Sequence, residues 1–372
     1  MSRARGWRDG LEARAARVFH RCAGGVDALA ARALIRPSLL RAAARAEARV
    51  LADASSSGEE PRRLDPEGFL APTLPTPELQ RVATAGLADE VWDARWTDPS
   101  TRIACPRDMA AARLFLHRVP ASSAVLLVHG YLGGDYRVER WLWPLRRLFR
   151  RGHDVALVTL PGHGVRAPRD GAHAYPSRDV HATARTTRQA IRELRGLLKF
   201  FRARRSVVGA AGVSLGGFLV ALLATVEAEL SFAIPVVPLS DLTAFAMGHV
   251  PDTASRAQME RTLPAAALAD LSTSPLTRPS LLPRGRVVVL GALGDRIAPP
   301  SHAMELARHF GGALELFPGG HLLQASHGRL LRAIDRLTDG SVAHAPRASR
   351  RAPRHGPRDA HPMPTLGGPQ DA

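Results

Sequence analysis

Lysine is almost missing from this chain: Lys199 is the one lysine among 51 Lys and Arg residues. Aromatic residues make up only 5% of the 372 positions, and there are two cysteines, Cys22 and Cys105. Each scarcity excludes something. Two cysteines without metal-ligand spacing give neither a zinc site nor a disulfide framework. A formal charge of +17 and a pI near 11.4 invite a nucleic-acid partner. Yet the chain has no stacking motif, zinc-finger spacing or RNA-binding signature, so nucleic acid is excluded as the expected partner. Arginine with a single lysine, beside abundant alanine, reads instead as a compositional bias of the coding sequence. There is no G-x-G-x-x-G or Walker-type loop, and no nucleotide cofactor is implied. Arginines interrupt every apolar run near the N-terminus before a secretory core can form, which makes a cytosolic location the default expectation.

What is present is a chain with 45% hydrophobic residues, enough for a sizeable core, and its length fits one large α/β domain with appendages or two ordinary domains. The stretch that organises it runs from Ser206 to Thr225 and holds Gly212-Val213-Ser214-Leu215-Gly216, a G-x-S-x-G pentapeptide. A β-branched half precedes the serine and an apolar helical half follows it. The run is close to the ~20 residues of a membrane span. Its glycines and β-branched first half favour a strand, a sharp turn and a helix. That arrangement exposes the Ser214 hydroxyl at the apex of a strained turn. Gly212 and Gly216 remove side chains where strand and helix nearly touch.

Taken in order, residues 1–51 read as a basic helical extension. Trp7, Leu11, Ala15, Val18, Phe19 and Cys22 share one third of a helical projection, with Arg8 intruding. The favoured reading is a helix packed on the main domain; the alternative is peripheral contact with an anionic membrane surface. A second helical piece is expected around Pro37–Leu51, and residues 52–89 read as a linker. A domain spanning 90–339 follows. Strands are expected at Glu90–Trp96, Ala112–Val119, Ala124–Val128, Asp154–Leu160, Ser231–Leu239, Val287–Leu290 and Ala313–Phe317, besides the one that enters the serine turn. Helices are expected at Arg137–Arg151, Val180–Arg205 and Ser301–Phe310, with a last one ending at Leu337. Trp141, Leu142, Leu145, Leu148 and Phe149 are expected to form the inner face of the first. Alternating strands and helices imply an α/β fold with a doubly wound, mostly parallel sheet. Residues 240–284 break the rhythm and read as a small cap. Residues 340–372 read as a disordered Pro/Arg-rich tail.

Acyl transfer by serine needs a base for the hydroxyl proton, an acid to orient that base, and donors for the oxyanion. Each is offered at the end of a strand. Ser214 is the candidate nucleophile, His321 in Gly319-Gly320-His321 the base, and Asp295 the acid. Asp241, after the preceding strand, is the alternative acid. The order Ser…Asp…His is that of elbow-type enzymes. The oxyanion donors would be the backbone N–H groups of Leu215 and Tyr131. His129 and His163 lack an i,i+4 partner or carboxylate cluster and read as loop-shaping residues, so no metal is expected.

These residues resemble the alpha/beta hydrolase superfamily from about Glu90 to Asp339. The resemblance implies that His129-Gly130 shapes the oxyanion loop and that residues 240–284 cap the site. A narrower set is similar to the branch called alpha/beta hydrolase domain-containing protein eighteen: Gly133-Gly134-Asp135, Arg140-Trp141, Gly164-Val165-Arg166-x-Pro168, Gly212–Gly217 and Gly319-Gly320-His321. The expected activity is cofactor-independent cleavage of a small-molecule carboxylic ester or a lipid ester through an acyl-enzyme. Leu242, Phe245, Met247, Val250, Met259 and Leu263 in the cap suit an acyl chain. Acyl transfer, thioester cleavage and a non-catalytic scaffold are the alternatives.

Overall fold

The computed structural model describes residues 19, 22–27, 77–82, 88–97, 107–119, 121, 123–131, 133–168, 175–176, 180–242 and 273–339. Its strands are β1 (Glu78–Arg81), β2 (Glu90–Trp96), β3 (Ala110–Leu116), β4 (Ser123–Val128), β5 (His153–Thr159), β6 (Val207–Val213), β7 (Phe232–Val236), β8 (Val288–Ala292) and β9 (Ala313–Phe317). The helices are α1 (Tyr136–Leu142), α2 (Leu145–Arg150), α3 (Val180–Arg202), α4 (Leu215–Val226), α5 (Pro300–Phe310) and α6 (His327–Thr338).

All nine strands join one sheet in the order β1-β2-β3-β5-β4-β6-β7-β8-β9. The first three strands run antiparallel to their neighbours, and every pairing from β5 to β9 is parallel. Parallel strands need crossover helices, and those helices bury both sheet faces. The side chains follow the pleat. Ala124, Leu126 and Val128 of β4 face a core built with Ile191, Leu194, Leu198 of α3 and Leu219, Leu222 of α4. Val125 and Leu127 face the opposite core, with Leu145, Leu148 of α2 and Leu330, Ile334 of α6. Burying one such side chain contributes ~1.5–3 kcal/mol. Both faces are therefore needed to order the central strands, and the expected doubly wound sheet is what the structure shows.

Two details differ from the sequence reading. β1 lies inside the stretch read as linker and pairs with β2. Arg137–Arg151 is not one helix: it breaks at Trp143-Pro144 into α1 and α2. Proline has no N–H and clashes with the preceding turn, so the helical phase restarts there. Trp141 and Leu142, expected on the inner face, are consequently 80% and 58% exposed, while Tyr136 and Glu139 are buried instead. The second N-terminal helix, the first one apart from residues 19 and 22–27 (so Trp7, Leu11, Ala15 and Val18 of its apolar stripe), the tail and residues 243–272 of the cap lie outside the described residues. Among the described residues, no helix is long and apolar enough to cross a membrane.

Candidate active site

The site lies at the carboxyl ends of the parallel strands, where loops from β4, β6, β8 and β9 converge. β6 ends at Val213, and Ser214 turns the chain into α4 with φ 57 and ψ −115. A positive φ is rare for a residue with a side chain and marks a strained turn. Two close approaches enforce it. A Cβ on Gly216 would sit 2.2 Å from the Val128 carbonyl oxygen, and one on Gly212 would sit 2.1 Å from that of Gly216. Only glycine lets strand and helix cross there. The Ser214 N–H donates to Val236 O at 2.9 Å, which fixes the turn to β7.

Ser214 Oγ lies 2.8 Å from His321 Nε2. His321 Nδ1 lies 2.7 Å from Asp295 Oδ2. All three residues are buried. With Nδ1–H donating to the carboxylate, Nε2 is left as acceptor for the serine hydroxyl. The other Asp295 oxygen, Oδ1, accepts from Ile297 N at 2.9 Å and Ala298 N at 2.7 Å. The imidazole nitrogen that Asp241 would need is thus taken by Asp295. Asp241 Oδ2 instead accepts from Ser274 Oγ at 3.3 Å.

The His129-Gly130 loop lies beside the serine: a Cβ on Gly130 would be 3.2 Å from Ser214 Cβ. His129 Nε2 accepts from Leu160 N at 3.0 Å, so Nδ1 carries the proton and donates to Gly130 O at 2.7 Å. Burial, with His163 close by, pushes the His129 pKa down to about 3, and the ring stays neutral. His163 Nδ1 lies 2.9 Å from Pro161 O, also a backbone contact. Tyr131 follows in the same loop, 40% exposed, with its ring edge-on to His163. Leu215 opens α4, where the first N–H groups of a helix have no intrahelical acceptor.

Two residues that build the site escaped the sequence reading. Glu139 of α1 is buried and accepts from Gly134 N and Trp143 Nε1, both at 2.9 Å, pinning the end of the His129 loop to its helix. Burial raises its pKa above the ordinary carboxylate value. Its i,i+4 spacing from Trp143 was the available signal. The other is Asp27, from a helical segment at residues 22–27. It is fully buried, and its carboxylate accepts from His321 N at 2.5 Å, Leu322 N at 3.1 Å and Arg296 N at 3.4 Å. An acid beside Gly24-Gly25 in an otherwise arginine-rich stretch was the only hint of it.

A serine on a strand-to-helix elbow, hydrogen-bonded to a histidine and an aspartate from later strands, defines the elbow-type class of α/β folds. The family model described as the alpha/beta hydrolase family matches residues 125–334, more than half of the chain, and the protein belongs to that family. Two Mycobacterium tuberculosis proteins described as uncharacterized are 30% identical over 177 residues, 46% of this chain and 42% of theirs. The chain therefore spans less than half the length of these curated relatives. Among solved structures, an acetyl xylan esterase from Paenibacillus sp. R4 is similar with TM-score 0.55 and 16% identity, over 73% of this chain and 91% of that one. Acetyl Xylan Esterase 1 from Thermoanaerobacterium sp. JW/SL YS485 is similar with TM-score 0.54 and 15% identity, over 71% and 88%. At these identities the likeness concerns the fold alone.

Proposed function

We propose that the protein is a serine hydrolase that cleaves a carboxylic or lipid ester through an acyl-enzyme intermediate. The observation that carries this reading is the unbroken chain of short contacts from Ser214 Oγ through His321 to Asp295. In the proposed reaction Ser214 Oγ attacks the ester carbonyl while His321 Nε2 takes its proton. Asp295 holds the imidazole in the required tautomer and stabilises the imidazolium that forms. The backbone N–H groups of Leu215 and Tyr131 receive the oxyanion; losing one such donor typically costs ~10²–10³ in turnover. His321 then returns the proton to the leaving alkoxide, and water repeats the cycle in reverse to release the acid. Side chains alone supply nucleophile, base and acid in this scheme.

An apolar acyl group is favoured because Tyr131, Leu293 and Leu322, each within two residues of a site residue, expose 40%, 49% and 53% of their surface. Exposed apolar side chains near a polar catalytic centre suit such ligands. The test is a series of p-nitrophenyl esters of increasing chain length, run with wild type and Ser214→Ala together. Turnover that depends on Ser214 and rises with chain length supports the reading. Equal turnover in both proteins refutes the nucleophile, and an inert wild type supports a binding role for the fold.

A further inference from the structure

The segment at residues 22–27 lies against the two loops that carry the acid and the base. Gly24 faces the first loop, where an added Cβ would sit 3.1 Å from Gly294 O. Gly320 faces back from the second, where an added Cβ would sit 2.4 Å from Asp27 Oδ2 and 3.0 Å from Ala23 O. Asp27 is the polar contact between them. Its Oδ2 accepts from Arg296 N, the residue after Asp295, and from His321 N itself; its Oδ1 accepts from Leu322 N. One fully buried carboxylate thus bridges the main chain on both sides of the Asp295–His321 hydrogen bond.

A buried carboxylate is costly to desolvate, and backbone N–H donors repay that cost with charge-assisted bonds. The chemistry is specific to a carboxylate. Each hydrogen bond made by Asp27 among the described residues comes from a backbone N–H donor, so an amide would turn its own NH2 toward one of those N–H groups. The arrangement also gives Gly320 a reason: any side chain there would displace the carboxylate. The sequence motif Gly319-Gly320-His321 is shaped by a residue nearly 300 positions upstream.

We propose that Asp27 is a positioning residue for the triad, holding the loops of Asp295 and His321 in register with Ser214, so that the N-terminal segment is part of the catalytic unit. This rests on the serine-hydrolase reading above. If the base shifts by about 1 Å, turnover falls by about 100-fold while ester binding is preserved.

The experiment uses the full chain as wild type, Asp27→Ala, Asp27→Asn and Ser214→Ala. Steady-state hydrolysis of p-nitrophenyl butyrate is normalised to the sites that react with a fluorophosphonate, so that unfolded molecules are not counted. Hydrogen exchange is followed in peptides covering residues 293–298 and 319–324. The expected result is an approximately 100-fold lower kcat per site in Asp27→Ala with KM unchanged, and faster exchange in both loops. Asp27→Asn, which keeps the volume, is expected to fall in kcat as well and serves if the alanine variant does not fold. Wild-type kcat per site in both Asp27 variants, whatever their melting temperature, overturns the positioning role and leaves the serine reading standing. Turnover in wild type that survives Ser214→Ala, or no turnover at all, overturns the serine reading and the positioning role together.

Discussion

Asp295 uses both carboxylate oxygens: Oδ1 accepts two backbone N–H groups and Oδ2 faces His321 Nδ1. An asparagine there would keep its oxygen on the two amides and present NH2 to the imidazole. His321 would then carry its proton on Nε2, facing the serine, in the wrong tautomer. Asp295→Asn is expected to lower kcat by about 10⁴-fold with a change in stability below ~1 kcal/mol, read by ester kinetics and urea unfolding. Asp241→Asn is expected to stay within about tenfold of wild type, because its carboxylate bonds Ser274 rather than His321. His129 supplies a pH prediction. Its pKa is about 3 in the fold, against an ordinary value of 6.5. The unfolded chain therefore binds a proton that the fold does not, between pH 6.5 and 3. The contribution of His129 is complete above the unfolded value and is lost as pH falls, at up to ~1.4 kcal/mol per pH unit. Burial also lowers the His153 pKa, so a difference measurement is needed. Urea unfolding of His129→Gln between pH 7 and 4 is expected to show a shallower loss than wild type; parallel curves contradict the assignment.

At the scale of elements, the crossing of β6 and α4 is the tightest constraint. Gly216→Ala places a methyl group 2.2 Å from a backbone oxygen, so something must move. It is expected to lower stability by ~1–3 kcal/mol or more. Gly285→Ala, with nothing within 4 Å of the added carbon, is expected to leave Tm almost unchanged. Thermal unfolding of the two variants side by side checks this. Period and turn chemistry made this element legible in the sequence: an apolar β-branched run, glycines at the crossing, then an apolar helix. Glu90–Trp96 and Ala313–Phe317 were legible for the same reason, and their boundaries agree with β2 and β9. The α1–α2 region was misread because helical spacing was carried through Pro144, although proline breaks the hydrogen-bond ladder. β1 was missed because Glu78–Arg81 is exposed at the sheet edge and has no buried face to write an alternating pattern. Asp27 was hidden for another reason: the donors it accepts from among the described residues are backbone N–H groups, and a backbone donor leaves no trace in residue type. Glu139 left half a signal, because one of its donors, Gly134 N, is backbone and the other, Trp143 Nε1, is a side chain four residues on.

At the scale of the whole molecule, positive charge is concentrated at the two ends of the chain. Residues 1–50 hold eleven arginines against four acids, and residues 341–372 hold five against two. Basic residues near an anionic bilayer contribute ~1 kcal/mol each. The membrane-contact alternative predicts salt-sensitive co-sedimentation with phosphatidylserine vesicles that weakens when residues 341–372 are deleted and Arg3, Arg5, Arg8, Arg14 and Arg17 are changed to Gln, whereas the favoured reading of a packed helix predicts no such binding. Removing residues 1–50 entirely would also take Asp27 from the site, so arginine substitutions are the cleaner change. Equal binding to neutral vesicles contradicts lipid targeting by charge. The catalytic account stands apart from that question and depends on Ser214 being a nucleophile activated by His321. The most direct measurement is fluorophosphonate labelling of the full chain followed by peptide mass spectrometry, in parallel with Ser214→Ala and His321→Ala. The account predicts one adduct per molecule on the peptide bearing Ser214, none in Ser214→Ala, and labelling slowed by orders of magnitude in His321→Ala. Labelling of another residue, or a rate indifferent to His321, contradicts it.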